Sequence, residues 1–375
     1  DFAAFKRQFL VPSVGEVHRR GRNARAGGVI RRIRVGHALI AAFVQVVGVR
    51  AAGAVVRSLL RHVDGSDALN VMDDAEAESV MLSCQSALAF QELQRLMEYT
   101  GDAAYAKFLG EEYVKLKDSI NLAAWDGSWY ARALSRKGNI GSKDSTGSKI
   151  YLNAQTWAVL SGVAEEDRIS QVLTAVDGME QDFGFPLNMP PYQAYDPHVG
   201  RMSGMLPGLF ENGGVYCHAT GFKILMDCKA GRASKALETL KKIMPDSEKN
   251  PSARSGAEPY VFTNCYSTHP GYYGKSYQSW TTGTSVWCMM GVYEGIMGVK
   301  RDYEGLRVDP CFPAEWEEAE VTRHFRGADY HIVVHNPGHL ENGRGTVHVD
   351  GKICPDSVLP DFRDGKRHEV EVLLG

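Results

Sequence analysis

From Asp74 to Met297 the apolar residues of this chain recur at helical spacing, in runs that come in pairs. Over residues 78–99 they fall at Val80, Met81, Cys84, Ala87, Leu88, Leu93, Leu96 and Met97, close to a 3.6-residue period. The pattern predicts a helix that Gly101 ends and a second helix, capped by Asp102, that runs to about Ala124. Further helices are predicted at about 153–162, 166–179, 218–229, 233–244 and 285–297. Long segments at 135–150, 181–210 and 245–278 separate the pairs, and long loops in a compact domain are commonly functional. Paired helices joined by site-bearing loops fit an (α/α) toroid, so the fold class is read as mainly α. After Pro313 the period changes to two, at Tyr330 to His335, Gly345 to Val349 and His368 to Leu373. Asp350-Gly351 is a hairpin turn signal. A small β region over 313–375, packed on a helical part, is expected.

The chain has 375 residues, 44% hydrophobic and 23% charged, which suits a soluble globular protein. A net charge of −3 argues against nucleic acid or an acidic membrane as partner. The seven cysteines stand singly with no C-x-x-C pair, which reads as reduced thiols in a cytoplasmic protein. No apolar run reaches the ~18 residues of a membrane span. Residues 38–49 are apolar but too short to span, and lie too far in for a signal peptide. Residues 1–63 stand apart. They hold twelve Lys and Arg against Asp1 and Glu16, a local +10, so the remainder carries −13. They contain neither Trp nor Tyr and show no stable amphipathic period. A basic binding patch is one reading of them; a non-native segment, such as a shifted reading frame would produce, is the one we favour.

Two separated segments carry anion-binding chemistry. Ser279-Trp280-Thr281-Thr282-Gly283-Thr284 offers hydroxyl donors and a glycine that admits close approach. Glu211-Asn212-Gly213-Gly214-Val215-Tyr216-Cys217-His218 brings a carboxylate and a histidine. Asp64-Gly65-Ser66-Asp67-Ala68-Leu69-Asn70 adds a further carboxylate. Each has a plain alternative: Asp67 as a turn residue, His218 as a hydrogen-bonded core histidine, Thr282-Gly283 as a helix cap, Glu211 as a loop carboxylate. His331, His335, His339 and His348 invite a metal reading. On a strand His331 and His335 lie about 13 Å apart, too far to share an ion, and the sequence offers no Cys or carboxylate to complete a site. No metal is expected. Gly200-Arg201-Met202-Ser203-Gly204 lacks the context of a nucleotide loop.

From about Asp64 to its end the chain resembles the inverting β-glycoside phosphorylases of the cellobiose and chitobiose phosphorylase family (glycoside hydrolase family 94). The resemblance rests on the order and spacing of several pieces. They are Ala124 to Tyr130, Asn153 to Ala158, Glu211 to His218, Glu258-Pro259-Tyr260, Ser279 to Thr284 and Tyr303 to Pro310. It implies an (α/α)6 barrel over 64–312, with the family's N-terminal β-sandwich and part of its barrel lacking counterparts in this text. It implies phosphorolysis of a β-linked glucose-type disaccharide or oligosaccharide, with inversion, to an α-sugar-1-phosphate and a free acceptor. Inorganic phosphate is then the co-substrate, no cofactor is needed, and the full-length protein is expected to form a homodimer. Asp67 aligns with the family's general acid, although Gly65 and Ser66 stand where the family has tryptophan and asparagine. His218, Thr282 and Gly283 match its phosphate site. Glu211 falls on the acceptor-sugar side, with Glu258 and Gln278 as further substrate contacts. Tyr260 and Trp280 could offer aromatic platforms to a sugar, or could simply pack. The rival readings are an inverting hydrolase, which needs a second carboxylate to activate water, and an inactive carbohydrate-binding fragment.

Overall fold

The computed structural model describes residues 49–52, 55–58, 69, 72–74, 76–341 and 345–375. Asp67, with Asp64, Gly65 and Ser66, lies outside the described residues, as does most of the basic segment 1–63. The chain divides into units 1–49 and 50–375, and the architecture below is that of the second.

Seven helices dominate the stretch up to Met290: α1 (Val80–Thr100), α2 (Ala103–Ala123), α3 (Leu152–Leu160), α4 (Glu166–Asp177), α5 (Cys217–Lys229), α6 (Ala233–Ile243) and α7 (Thr284–Met290). Their ends follow local chemistry. Ser79 Oγ accepts from Leu82 N at the start of α1, and Gly101 closes that helix at φ 83°. Asp102 accepts from Tyr105 N and opens α2. The predicted helix at 285–297 departs from expectation. It is regular only to Met290 and widens into a π segment, Gly291–Ile296, a distortion frequent at functional positions.

The odd-numbered helices α1, α3, α5 and α7 pack side by side in chain order, and each of α2, α4 and α6 folds back on its predecessor. Burial is deepest in α3 and α5. Eight of the nine residues of α3 and nine of the thirteen of α5 are buried, whereas α4 buries only Val172 and Val176. An outer helix such as α4 needs only a single apolar stripe. The long loops are not wholly irregular. They pair across the helix ends as two-residue strands, Ile150–Tyr151 with Asn188–Met189, and Val215–Tyr216 with Cys265–Tyr266 and then Ser276–Tyr277.

Beyond Pro313 a five-stranded sheet forms in the order Glu318–Phe325, Ala328–His335, Arg367–Leu374, Gly345–Val349, Lys352–Cys354. Asp350 and Gly351, at φ 49° and 75°, make the two-residue turn expected between Val349 and Lys352. The strand Glu318–Phe325 was not legible in advance. It is an edge strand whose residues alternate exposed and half-buried, so its apolar side is weak. Tyr330, Ile332, Val334, Val370 and Val372 form the inner face, and Met297 and Val292 from the end of the helical part pack into the same core. No helix among the described residues is long and apolar enough to cross a membrane.

A fully buried ion pair braces α5. Lys223 Nζ donates to the Asp227 carboxylate and, at 2.9 Å, to Thr239 Oγ1 of α6, and sits 4.3 Å from the Phe185 ring centroid. Arg232 bridges Asp227 to Asp177 at the end of α4. Burial pushes the ammonium down and the carboxyl up, and each partner's charge opposes that shift. Asp227→Ala leaves a buried ammonium without its counter-ion. We expect it to lower the unfolding free energy by about 3–5 kcal/mol, and Lys223→Met with Asp227→Leu to recover most of that, both read from urea denaturation.

Candidate active site

The small three-stranded sheet explains how distant segments meet. Its register aligns Tyr216 with Cys265 and Cys265 with Tyr277. The next row is therefore Cys217, Asn264 and Gln278, at one edge. Cys217 N donates to Asn264 O (2.8 Å) and Asn264 N to Gln278 O (3.3 Å). His218 follows immediately, in the first turn of α5.

Asn264 joins the two loops through its side chain as well. Its Nδ2 donates to Gln278 Oε1 (2.9 Å) and its Oδ1 accepts from Thr282 Oγ1 (3.0 Å). Thr282 Oγ1 also accepts from Thr284 N (3.1 Å) and lies 2.7 Å from Thr284 Oγ1. Thr284 Oγ1 in turn donates to Thr263 O (3.1 Å). The hydroxyl of Thr282 is thus fixed from both sides before any ligand arrives. Asn264, Thr263 and Thr284 were not singled out from the sequence. Thr-Asn-Cys carries no motif, and only the sheet register gives Asn264 its place.

His218 and Gly283 lie against one another. A Cβ on Gly283 would come 3.2 Å from His218 Cε1 and 3.4 Å from Nε2, so glycine lets the backbone close onto the ring. The ring is half-buried among Phe222, Trp287 and Tyr216, with centroids 5.1, 6.0 and 6.4 Å away. That burial holds the imidazole below its ordinary value and so favours the neutral ring over the cation.

Glu211 occupies a tight turn between Leu209 and Asn212. Asn212 secures the turn by accepting from Tyr192 N (2.7 Å) and donating to Tyr192 O and Met205 O. A Cβ on Gly214 would lie 2.6 Å from Phe210 O and 2.9 Å from Cys265 Sγ, so the Gly-Gly step is a packing requirement of the site sheet. Glu258 is tied to Trp280, two residues beyond Gln278. Its Oε1 accepts from Trp280 Nε1 (3.0 Å), and that donor holds the carboxyl below its usual range. Trp280 and Tyr260, 66% and 74% exposed, meet edge to face with centroids 6.4 Å apart. Gln278 and Trp280 both adopt left-handed backbone, φ 57° and 72°, which side chains other than glycine adopt at a cost.

The structure therefore brings His218, Thr282 and Gly283 together and places Gln278 beside them. It sets Glu258 at the exposed rim and Glu211 on the neighbouring turn. The stretch that follows Asp67 is anchored: Asp73 binds Lys137 (2.6 Å) and His198 (2.8 Å), and Asp74 accepts from Ser135 and Arg136 N.

The histidines of the sheet correct one expectation. Carboxylates do stand beside His331, namely Glu369 at 2.6 Å and Glu320 at 3.1 Å, supplied by neighbouring strands that the linear sequence could not bring together. His335 pairs with Glu318. Among the described residues no group of three or more His, Cys, Asp or Glu could hold a metal ion.

A family model described as the glycosyl hydrolase 94 superfamily, catalytic domain, matches residues 39–298. Over 316 residues the chain is 40% identical to a solabiose phosphorylase of Paenibacillus borealis, covering 82% of this chain and 41% of that protein. It is 36% identical over 301 residues to a 3-O-β-D-glucopyranosyl-β-D-glucuronide phosphorylase of the same organism, covering 79% and 39%. It is 31% identical over 319 residues to an N,N'-diacetylchitobiose phosphorylase of Vibrio proteolyticus, covering 84% and 39%. The chain spans about two fifths of the length of these curated relatives.

The Asn264 junction gives a direct test. Asn264→Ala removes the partner of both Thr282 and Gln278 and is expected to cost about 1–3 kcal/mol. Amide hydrogen exchange across 278–284 should accelerate while that of α1 and α2 stays unchanged.

Proposed function

The chain belongs to the glycosyl hydrolase 94 superfamily, and we propose that it carries the catalytic part of an inverting β-glycoside phosphorylase. The carrying observation is that Gly283 lies against His218 while Asn264 ties Thr282 and Gln278 to the strand beside the start of α5. In this reading the inner and outer helices belong to an (α/α)6 barrel over 64–312, the β region occupies 313–375, and the protein works in the cytoplasm. The family match takes in the end of the basic segment, residues 39–63.

The reaction follows from the groups in hand. Phosphate is already an anion, so it needs positioning and charge stabilisation rather than a base. The Gly283 backbone, His218 and the Thr282 hydroxyl, its one proton turned from Asn264 Oδ1 to a phosphate oxygen, hold it on the face of the anomeric carbon opposite the leaving oxygen. A phosphate oxygen bonds to that carbon as the glycosidic bond breaks, and Asp67 gives its proton to the departing oxygen. The products are an α-sugar-1-phosphate and the free acceptor. Glu211, Glu258 and Gln278 bind sugar hydroxyls, with Trp280 and Tyr260 beside them as an apolar face. No cofactor enters. In the full-length protein a homodimer is expected.

Synthesis from α-glucose-1-phosphate tests this. With glucose, gluconate, N-acetylglucosamine or cellobiose as acceptor, phosphate release should require both the acceptor and Asp67, and Asp67→Asn should abolish it. Disaccharide cleavage that proceeds without phosphate would instead support the hydrolase. A folded chain with no turnover would support a sugar-binding fragment.

His218 adds a pH dependence. Its value is depressed in the folded protein, so its contribution to stability is present above the ordinary value of 6.5 and is lost as pH falls toward the folded value. An anion bound beside the ring favours the imidazolium, so binding takes up a proton. Sulfate, which does not titrate in this range, should bind several-fold more tightly at about pH 5.5 than at about pH 7.5. His218→Gln should flatten that dependence, as measured by calorimetry.

A further inference from the structure

Three inner helices meet through their aromatic side chains one turn below His218. The Trp157 ring of α3 packs edge-on against Phe222 of α5 and Trp287 of α7, with centroids 5.2 and 6.1 Å away, and Phe222 and Trp287 meet each other at 4.6 Å. The beginnings of α3 and α5 share one hydrogen-bonded row, in which Leu152 N donates to Leu187 O and Leu187 N to Gly214 O, each at 2.9 Å. The two helices therefore run in the same direction. Residues four apart lie on one helix face, so the side chains one turn earlier stack above the aromatic trio. Four residues before Phe222 and Trp287 stand His218 and Gly283, and these two do lie against one another. Four residues before Trp157 stands Asn153. Asn153 is thus the α3 member of the layer that holds His218 and Gly283.

Asn153 is 4% exposed, and its Oδ1 has no hydrogen-bond partner among the described residues. The buried amides around it are satisfied. Gln155 accepts from Tyr130 N and donates to Tyr130 O and Tyr151 O, and Asn188 donates to Ser148 Oγ and accepts from Gly213 N. The indole N–H of Trp157 also lacks a partner among the described residues, but it belongs to the aromatic trio one turn below. An unpaired buried carboxamide oxygen destabilises a fold, and it calls for a donor. Phosphate presents mainly acceptor oxygens, whereas a sugar presents hydroxyl donors.

We infer that Asn153 is a substrate-binding residue, its Oδ1 accepting from a hydroxyl of the glycosyl unit that is transferred to phosphate. The inference rests on the reading of His218, Thr282 and Gly283 as the phosphate site. In the α-sugar-1-phosphate the transferred unit is bonded directly to that phosphate. An acceptor sugar lies on the far side of the anomeric carbon, so a residue level with His218 meets the transferred unit instead.

The test compares inorganic phosphate with α-glucose-1-phosphate, each titrated by calorimetry into the chain as it stands and into Asn153→Leu. Leucine matches the branched shape of asparagine without its polar ends, so the thermal midpoint of the variant should be unchanged or raised. The variant should bind α-glucose-1-phosphate about ten-fold more weakly than the unaltered chain does, while its affinity for phosphate stays the same. The inference is overturned, and the phosphate site stands, if the unaltered chain binds phosphate but gains nothing from the sugar, or if the folded variant keeps its full affinity for α-glucose-1-phosphate. An equal loss of both ligands marks a structural role and overturns it too. A chain that binds neither ligand overturns the phosphate-site reading and the inference with it. Should the variant not fold, the side-chain amide resonance of Asn153 in the ¹⁵N-labelled unaltered chain decides. It should move further with α-glucose-1-phosphate than with phosphate, and equal movement with both overturns the inference.

Discussion

The amide of Asn264 is the junction on which the candidate site depends. It accepts from Thr282 with one atom and donates to Gln278 with the other, while its backbone holds the start of α5 and the end of the third site strand. A side chain that spends both polar ends on partners has no rotamer left to explore, and the loops it joins inherit that order. The consequence appears one residue further on. Gly283, the residue after the anchored Thr282, lies against His218. Gln278 and Trp280 keep unfavourable left-handed backbone in the same short stretch, a cost that the surrounding hydrogen bonds offset.

Around this junction the architecture divides its work. The inner helices α1, α3, α5 and α7 carry their site-bearing loops at their ends, and the outer helices cover them. The Lys223–Asp227 pair and the aromatic contacts of Trp157 with Phe222 and Trp287 fix α5 from below, so the first turn that presents His218 rests on a rigid base. The relatives that the chain resembles are phosphorylases, and the chain spans about two fifths of their length.

Much of this was legible in the sequence, for physical reasons. Helix ends depend on neighbours only a few residues away, so Gly101 and Asp102 announced theirs, and Asp350-Gly351 announced its turn. The candidate anion residues could be named because hydroxyls, glycines and a histidine in loops are chemically conspicuous. What escaped depends on pairing at long range. Asn264 acts through residues 14 and 18 positions away, across strands of two residues each, too short to show a period. The Glu318–Phe325 strand escaped because an edge strand buries little, and the carboxylates beside His331 because they come from other strands. The π segment interrupts a helix whose sequence pattern reads as continuous.

The most direct measurement is a phosphate titration of the ¹⁵N-labelled chain, followed by amide chemical shifts. Shifts concentrated at 217–219, 263–264 and 282–284, and lost in Thr282→Val, are what an anion hollow built on the Asn264 junction requires. Saturable shifts centred elsewhere, or none at millimolar phosphate in a folded chain, would contradict it.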